Sequence, residues 1–250
     1  MKGCADEKKC VLVKTTLLDF PGRVAAACFV RGCDLRCPYC YNAPLVEEDL
    51  KEDFSGRGES PPQFVSASEV VAHLERRRKV LTGFVLSGGE ALCDFPLAKN
   101  LILNARSLGY KIKLDTNGTF PERLEELLSD ERLAPDYVAL DVKTSPERYG
   151  ELRAEGKGLG ERISRSIKIV SALPCERREF RTVLYPPVLG KREVERIARL
   201  LPKDASWFFA QFQNESCLSP EAEKIVPYTD GQAEELVSLA KRFVPNAALR

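Results

Sequence analysis

The sequence predicts an α/β fold with a mostly parallel sheet. Two observations carry that expectation. Short apolar segments rich in β-branched or aromatic residues recur along the chain, and helix-patterned stretches separate them. A third observation agrees with both: the polar motifs fall at the ends of the apolar segments. Ligand sites of parallel sheets lie there.

Taken in order, Val24–Val30, Gly83–Ser87, Tyr110–Asp115, Tyr137–Val142, Glu179–Tyr185 and Trp207–Phe212 read as strands. They lack clean alternation, as strands buried on both faces do. Ser66-Ala-Ser-Glu69 reads as a capping box that opens a helix carrying Val70, Leu74 and Leu81. Leu97–Leu108 follows Pro96 and stops at Gly109. Pro121 opens a helix carrying Leu124, Leu127 and Leu128. Arg162–Leu173, Arg192–Leu201 and Gly231–Phe243 read as three more. Glu47–Pro62 is charged, rich in Pro and Gly and without apolar period, and reads as an exposed loop. No repeat or linker divides the chain, so residues 1–250 read as one domain, with a core over about 13–213 and a C-terminal helix over about 231–243.

The chain has 250 residues, 44 % of them apolar, enough for one sizeable core. With 38 basic and 37 acidic residues the formal charge is +1, which gives no electrostatic footprint for nucleic acid or membrane. Arg76-Arg-Arg-Lys79 reads as a solvated helix face. The apolar runs are strand-sized, so no membrane span is expected, and the N-terminal segment has no apolar core of a signal peptide. Nine cysteines, an odd number in a chain this long, point to a reducing compartment and a cytoplasmic protein. Cys4, Cys10, Cys28, Cys93, Cys175 and Cys217 are scattered and read as buried hydrophobes or inert thiols.

The remaining three cysteines form a C-x3-C-x2-C run. Cys33, Cys37 and Cys40 lie in Arg31-Gly-Cys-Asp-Leu-Arg-Cys-Pro-Tyr-Cys-Tyr41, directly after the first strand. Three thiolates on a tight loop can hold three irons of a [4Fe–4S] cluster and leave the fourth open to a small molecule. A ferredoxin cluster takes four cysteines, and a structural zinc site takes four closed ligands. A distant cysteine or His73 would have to complete a zinc site, and His73 falls inside a predicted helix. Downstream, Ser87-Gly88-Gly89-Glu90 ends the second strand, where two glycines permit close backbone approach and a carboxylate follows. Lys113-Leu-Asp-Thr-Asn-Gly118 and Val138-Ala-Leu-Asp-Val-Lys143 each place a carboxylate at a strand end. Asp115 can alternatively open an Asx turn, and Asp141 with Lys143 can be a simple ion pair. Arg181, within Glu179-Phe-Arg-Thr182, suits a carboxylate or ribose, or equally a salt bridge to a glutamate. Gln211 and Gln213 are weaker candidates for the same sheet edge.

The cysteine loop, with Tyr39 ahead of its last cysteine, resembles the signature of the radical S-adenosylmethionine (radical SAM) superfamily. That resemblance implies a partial (βα)6 barrel, a [4Fe–4S] cluster on Cys33, Cys37 and Cys40, and SAM chelated at the open iron. It also implies that Gly88, Gly89 and Glu90 hold the methionyl amino group; Ala91 stands where the family commonly has proline. Thr16-Leu-Leu-Asp-Phe-Pro-Gly22 ahead of the cysteines, then the four motifs and Glu179-Phe-Arg-Thr182 occur in order. Together they look like the glycyl-radical-enzyme activases, and more narrowly the activating proteins of anaerobic (class III) ribonucleoside-triphosphate reductase. This narrower resemblance covers about 13–213. It implies that Asp115, Thr116 and Asp141 share a monovalent cation site beside SAM and that Lys143 contacts the SAM carboxylate. Tyr39 and Asn117 are expected at the same cofactor site. The implied partners are a glycyl radical enzyme and a flavodoxin or ferredoxin electron donor. Tyr41-Asn42 stands where many activases have histidine then asparagine. Three alternatives stay open: an activase of the pyruvate formate-lyase type, a small-molecule enzyme such as 7-carboxy-7-deazaguanine synthase, and a non-enzymatic zinc or iron–sulfur binding module.

Overall fold

The computed structural model describes residues 7–46, 62–152 and 158–250. The acidic stretch 47–53 and Cys4 lie outside the described residues. Among the described residues, nine strands and seven α-helices follow one another: β1 (Cys10–Thr16), β2 (Ala25–Val30), α1 (Ala43–Val46), β3 (Phe64–Val65), α2 (Ala67–Arg77), β4 (Gly83–Gly88), α3 (Phe95–Ser107), β5 (Lys111–Thr116), α4 (Pro121–Ser129), β6 (Tyr137–Asp141), α5 (Leu159–Ser171), β7 (Arg178–Leu184), α6 (Lys191–Ala198), β8 (Trp207–Gln211), α7 (Asp230–Lys241) and β9 (Ala247–Leu249). The six strands and six long helices expected from the sequence are all present, with ends shifted by a few residues.

The chain sorts into two compact units. One comprises Met1–Cys33, Pro44–Thr116 and Glu125–Tyr137, taken over their described residues; the other comprises Asp34–Ala43, Asn117–Leu124 and Val138–Arg250, likewise.

In the first unit β2, β4 and β5 are parallel, with Val30 opposite Gly88 and Leu86 opposite Leu114. Parallel strands buried on both faces need continuous apolar sequence, and Ala25–Cys28 and Phe84–Leu86 are wholly buried. β1 pairs antiparallel with β2 and β3. Neither β1 nor β3 was expected. Half of β1 faces solvent, so its sequence is not a buried apolar run, and β3 is two residues long. The Ser66 capping box forms as expected: Ser66 Oγ accepts from Glu69 N, and Glu69 Oε2 accepts from Ser66 N at 2.8 Å. His73 hydrogen-bonds Lys14 O through Nε2 at 3.0 Å, in keeping with a packed helix residue. Arg76–Lys79 are exposed.

In the second unit β6, β7, β8 and β9 are parallel. Asp141 stands opposite Arg181, so the strand register itself brings these two side chains to one face. Trp207 is fully buried and donates through Nε1 to Thr182 Oγ1 at 2.9 Å. β9 was not expected, being three residues long.

Candidate active site

In the first unit the Gly-Gly-Glu segment is laced onto the residues just before the first cysteine. Gly89 N donates to Val30 O at 3.0 Å, and Glu90 N donates to Gly32 O at 2.7 Å. Both glycines are sterically required. Gly88 has φ of 148°, and a Cβ there would collide with Val30 O. A Cβ on Gly89 would collide with Gly32 O and lie 3.0 Å from Cys33 Cβ. The segment is therefore held where only bare backbone fits. Glu90 is 1 % exposed, and its Oε1 accepts from Thr116 Oγ1 at 2.8 Å and Leu92 N at 3.0 Å. A buried carboxylate held by two donors is pre-aimed, with its geometry fixed before any ligand arrives. On β5, Lys113 is 2 % exposed and bridges Asp115 through Nζ and Oδ1 at 2.5 Å. That ion pair was not expected. Asn117 Oδ1 accepts from Thr119 N at 2.9 Å, an Asx turn directly after this strand.

In the second unit the rest of the cysteine loop is built on a backbone turn, Cys40 N donating to Cys37 O at 3.0 Å. Tyr39 packs beneath it, with ring centroids 4.6 Å from Tyr185 and 6.5 Å from Phe212. Its Oη is buried with no hydrogen-bond partner among the described residues. Tyr41 Oη accepts from Gln213 N at 2.7 Å, and Ser219 N donates to Pro38 O at 2.9 Å, so the 213–219 segment braces the loop. This explains Gln213; Gln211 instead donates through Nε2 to Tyr228 O at 2.6 Å.

Charge converges on this unit. Asp141 accepts from Arg181 Nε at 2.7 Å on Oδ1 and lies 3.4 Å from Lys143 Nζ on Oδ2. Burial pushes the Asp141 carboxyl up, but Arg181 and Lys143 outweigh it and hold it at about 2. Burial alone would lower Lys143; Asp141 reverses this and holds it well above the ordinary lysine range. Tyr149 Oη accepts from Lys143 N at 2.9 Å and fixes the end of that strand. Burial, modified by the charges of Lys143, Cys40, Asp141 and Asp34, pushes the Cys37 thiol up to about 11. Burial also pushes Cys40 up. The salt-bridge alternative for Arg181 is seen at its limit, with Nη1 4.0 Å from Glu179 Oε1.

Cys33, Cys37 and Cys40 form no disulfide among the described residues. Among the described residues no three His, Cys, Asp or Glu side chains stand grouped as a ready metal-ligand set. The donor chemistry nevertheless fits an iron–sulfur cluster: three thiols within eight residues, and a glycine cradle against the backbone of Gly32. Of the other cysteines, Cys10, Cys28 and Cys217 are buried, Cys93 is partly exposed and Cys175 is exposed. Residues that the sequence did not mark are Asp34, Thr119 and Tyr149; a carboxylate inside a cysteine loop was the one available signal.

A parallel sheet with a three-cysteine loop after one strand and a glycine–carboxylate turn after the next defines a class of cofactor-dependent α/β proteins. The Radical SAM superfamily profile matches residues 28–201, and the chain belongs to that superfamily, whose members use SAM and a [4Fe–4S] cluster. A Methanocaldococcus jannaschii protein with the provisional name glycyl-radical enzyme activating enzyme is 27 % identical over 246 residues, 96 % of this chain and 94 % of that one. The pyruvate formate-lyase 1-activating enzyme of Escherichia coli K12 is 28 % identical over 50 % of this chain and 48 % of its own. The 7-carboxy-7-deazaguanine synthase of Hyperthermus butylicus is 29 % identical over 52 % and 48 %. Among solved structures, QueE from Escherichia coli covers 97 % of this chain and 93 % of its own at 16 % identity and a TM-score of 0.53, a likeness of fold. No helix among the described residues is long and apolar enough to cross a membrane.

Proposed function

We propose that this protein is a cytoplasmic glycyl-radical-enzyme activase, and that its target is an anaerobic ribonucleoside-triphosphate reductase. What supports the activase reading is similarity along nearly the whole chain to a protein of that name, where the 7-carboxy-7-deazaguanine synthase matches over half. In this reading Cys33, Cys37 and Cys40 hold a [4Fe–4S] cluster. When bound, the cluster supplies the electron that cleaves SAM to methionine and a 5′-deoxyadenosyl radical, which takes hydrogen from a glycine of the partner. The electron comes from a flavodoxin or ferredoxin.

This chain's residues bind and orient. Gly88 and Gly89 expose backbone to the methionyl amino group, and Glu90, already fixed by Thr116, presents a carboxylate to it. Lys143 and Arg181 carry positive charge suited to the SAM carboxylate. Asp115 and Thr116 at the end of β5, and Asp141 at the end of β6, each carry oxygens of the kind a monovalent cation takes. Tyr39 and Asn117 stand at the same cofactor site, Asn117 also holding the 117–119 turn through Thr119 N.

The test is anaerobic mixing of the reconstituted protein, reductant and SAM with a class III reductase, read by EPR. A glycyl radical on the reductase, absent with Cys37→Ala, is expected. A radical on pyruvate formate-lyase alone would move the target to that enzyme. Deoxyadenosine without any protein radical would favour a small-molecule substrate.

A further inference from the structure

Asp34 directly follows Cys33, and no motif accounts for it. Its Oδ1 accepts from Thr119 Oγ1 at 2.8 Å and from Asn117 Nδ2 at 3.3 Å. These donors come from a turn that is itself fixed. Thr119 is wholly buried, and its N–H is held by Asn117 Oδ1 at 2.9 Å. Gly118 has φ of 78°, and its carbonyl accepts from Ser166 Oγ on α5 at 2.6 Å. A side chain at 118 would meet Leu140 Cδ1 at 2.7 Å. The turn is thus clamped between β6 and α5 and offers Asp34 a rigid pair of donors.

The other carboxylate oxygen behaves differently. Oδ2 is buried with no hydrogen-bond partner among the described residues. Ordinary folded proteins pair such atoms, because leaving one unpaired costs free energy. Asp34 is also close enough to act electrostatically on Cys37.

We propose that Asp34 is a positioning residue of the cysteine loop. Through Oδ1 it latches the loop to the 117–119 turn, and as the residue next to Cys33 it sets a carboxylate beside the loop's thiols. The proposal rests on the reading in which Cys33, Cys37 and Cys40 hold the cluster. Reducing that cluster adds one negative charge, and a neighbouring carboxylate in a poorly screened site opposes it. Net charge and hydrogen bonding are established levers on iron–sulfur potentials. Asp34 therefore lowers the midpoint potential, making the reduced state a stronger one-electron donor.

The experiment is an EPR-monitored redox titration of the full chain after anaerobic reconstitution, with iron and sulfide per chain measured first. Asp34→Asn keeps the shape and the acceptor but removes the charge; its midpoint is expected to rise above that of wild type. Thr119→Val keeps the charge but removes a donor that partly neutralises it; its midpoint is expected to fall. A structural loosening would move both in the same direction, and that result overturns the proposal. An unmoved midpoint in a fully loaded Asp34→Asn protein also overturns it. If Asp34→Asn fails to load, Thr119→Val decides alone: a fall supports the role, and anything else overturns it. Wild-type chain that takes up no iron overturns the cluster assignment itself and this proposal with it.

Discussion

A single methyl group at Gly89 would press on the Gly32 carbonyl and crowd Cys33 Cβ. Neither neighbour is a flexible side-chain tip, so the strain falls on the backbone that carries the first cysteine. Overpacking of this kind costs about 1–3 kcal/mol. Gly89→Ala is therefore expected to weaken SAM binding about tenfold or more, measured by equilibrium dialysis on the reconstituted protein. Arg181 offers a second test at this scale. Its guanidinium, with Lys143, keeps Asp141 ionised down to about pH 2 against the opposing effect of burial. A carboxyl whose folded value lies below its unfolded value stabilises the fold above the unfolded value, and loses that contribution as pH falls through the folded one. With Arg181→Gln, burial gains weight and the Asp141 midpoint is expected to rise, as read from its carboxyl carbon by NMR. An unchanged midpoint would mean Lys143 alone sets it. The motif residues were legible in the sequence because each motif is local. The latch from Asp34 to Thr119 was not, because its partners are 85 positions apart and meet only through the fold.

Elements were legible in proportion to their burial. The parallel strands Ala25–Val30 and Gly83–Gly88 read as apolar runs because both faces are covered. β1 escaped because three successive residues, Val13 to Thr15, face solvent, and β3 and β9 are too short to carry a pattern. The Ser66–Glu69 capping box was legible from four residues, since it is a wholly local exchange of hydrogen bonds. Ser66→Ala is expected to lower stability by about 1 kcal/mol in urea unfolding. Asp136 ties α3 to β5: Oδ2 accepts from Arg106 Nη1 and Ile112 N, both at 2.9 Å, and Oδ1 lies 2.8 Å from Lys111 Nζ. Burial raises its carboxyl, but Lys111, the Ile112 N–H and Arg106 together bring it below the usual range. Asp136→Asn is expected to cost about 1–3 kcal/mol at pH 7. The difference from wild type should shrink as pH falls below about 4, the ordinary value for aspartate, because the stabilising charge is then lost. A gap that stays constant from pH 7 to pH 3 would show that packing, not charge, carries the effect.

For the whole molecule, the superfamily match over residues 28–201 and the near-full-length likeness to an activating enzyme make SAM cleavage the central claim. Near-neutral charge and balanced composition exclude little else by themselves; the ordered motifs at strand ends are what connect the fold to the chemistry. The most direct measurement is anaerobic reconstitution with iron and sulfide, reduction with dithionite and addition of SAM, with 5′-deoxyadenosine quantified while the EPR spectrum is recorded. The account predicts a reduced-cluster signal that shifts with SAM, together with deoxyadenosine that disappears in Cys37→Ala. Tightly bound zinc in place of iron, with no SAM cleavage, would contradict it.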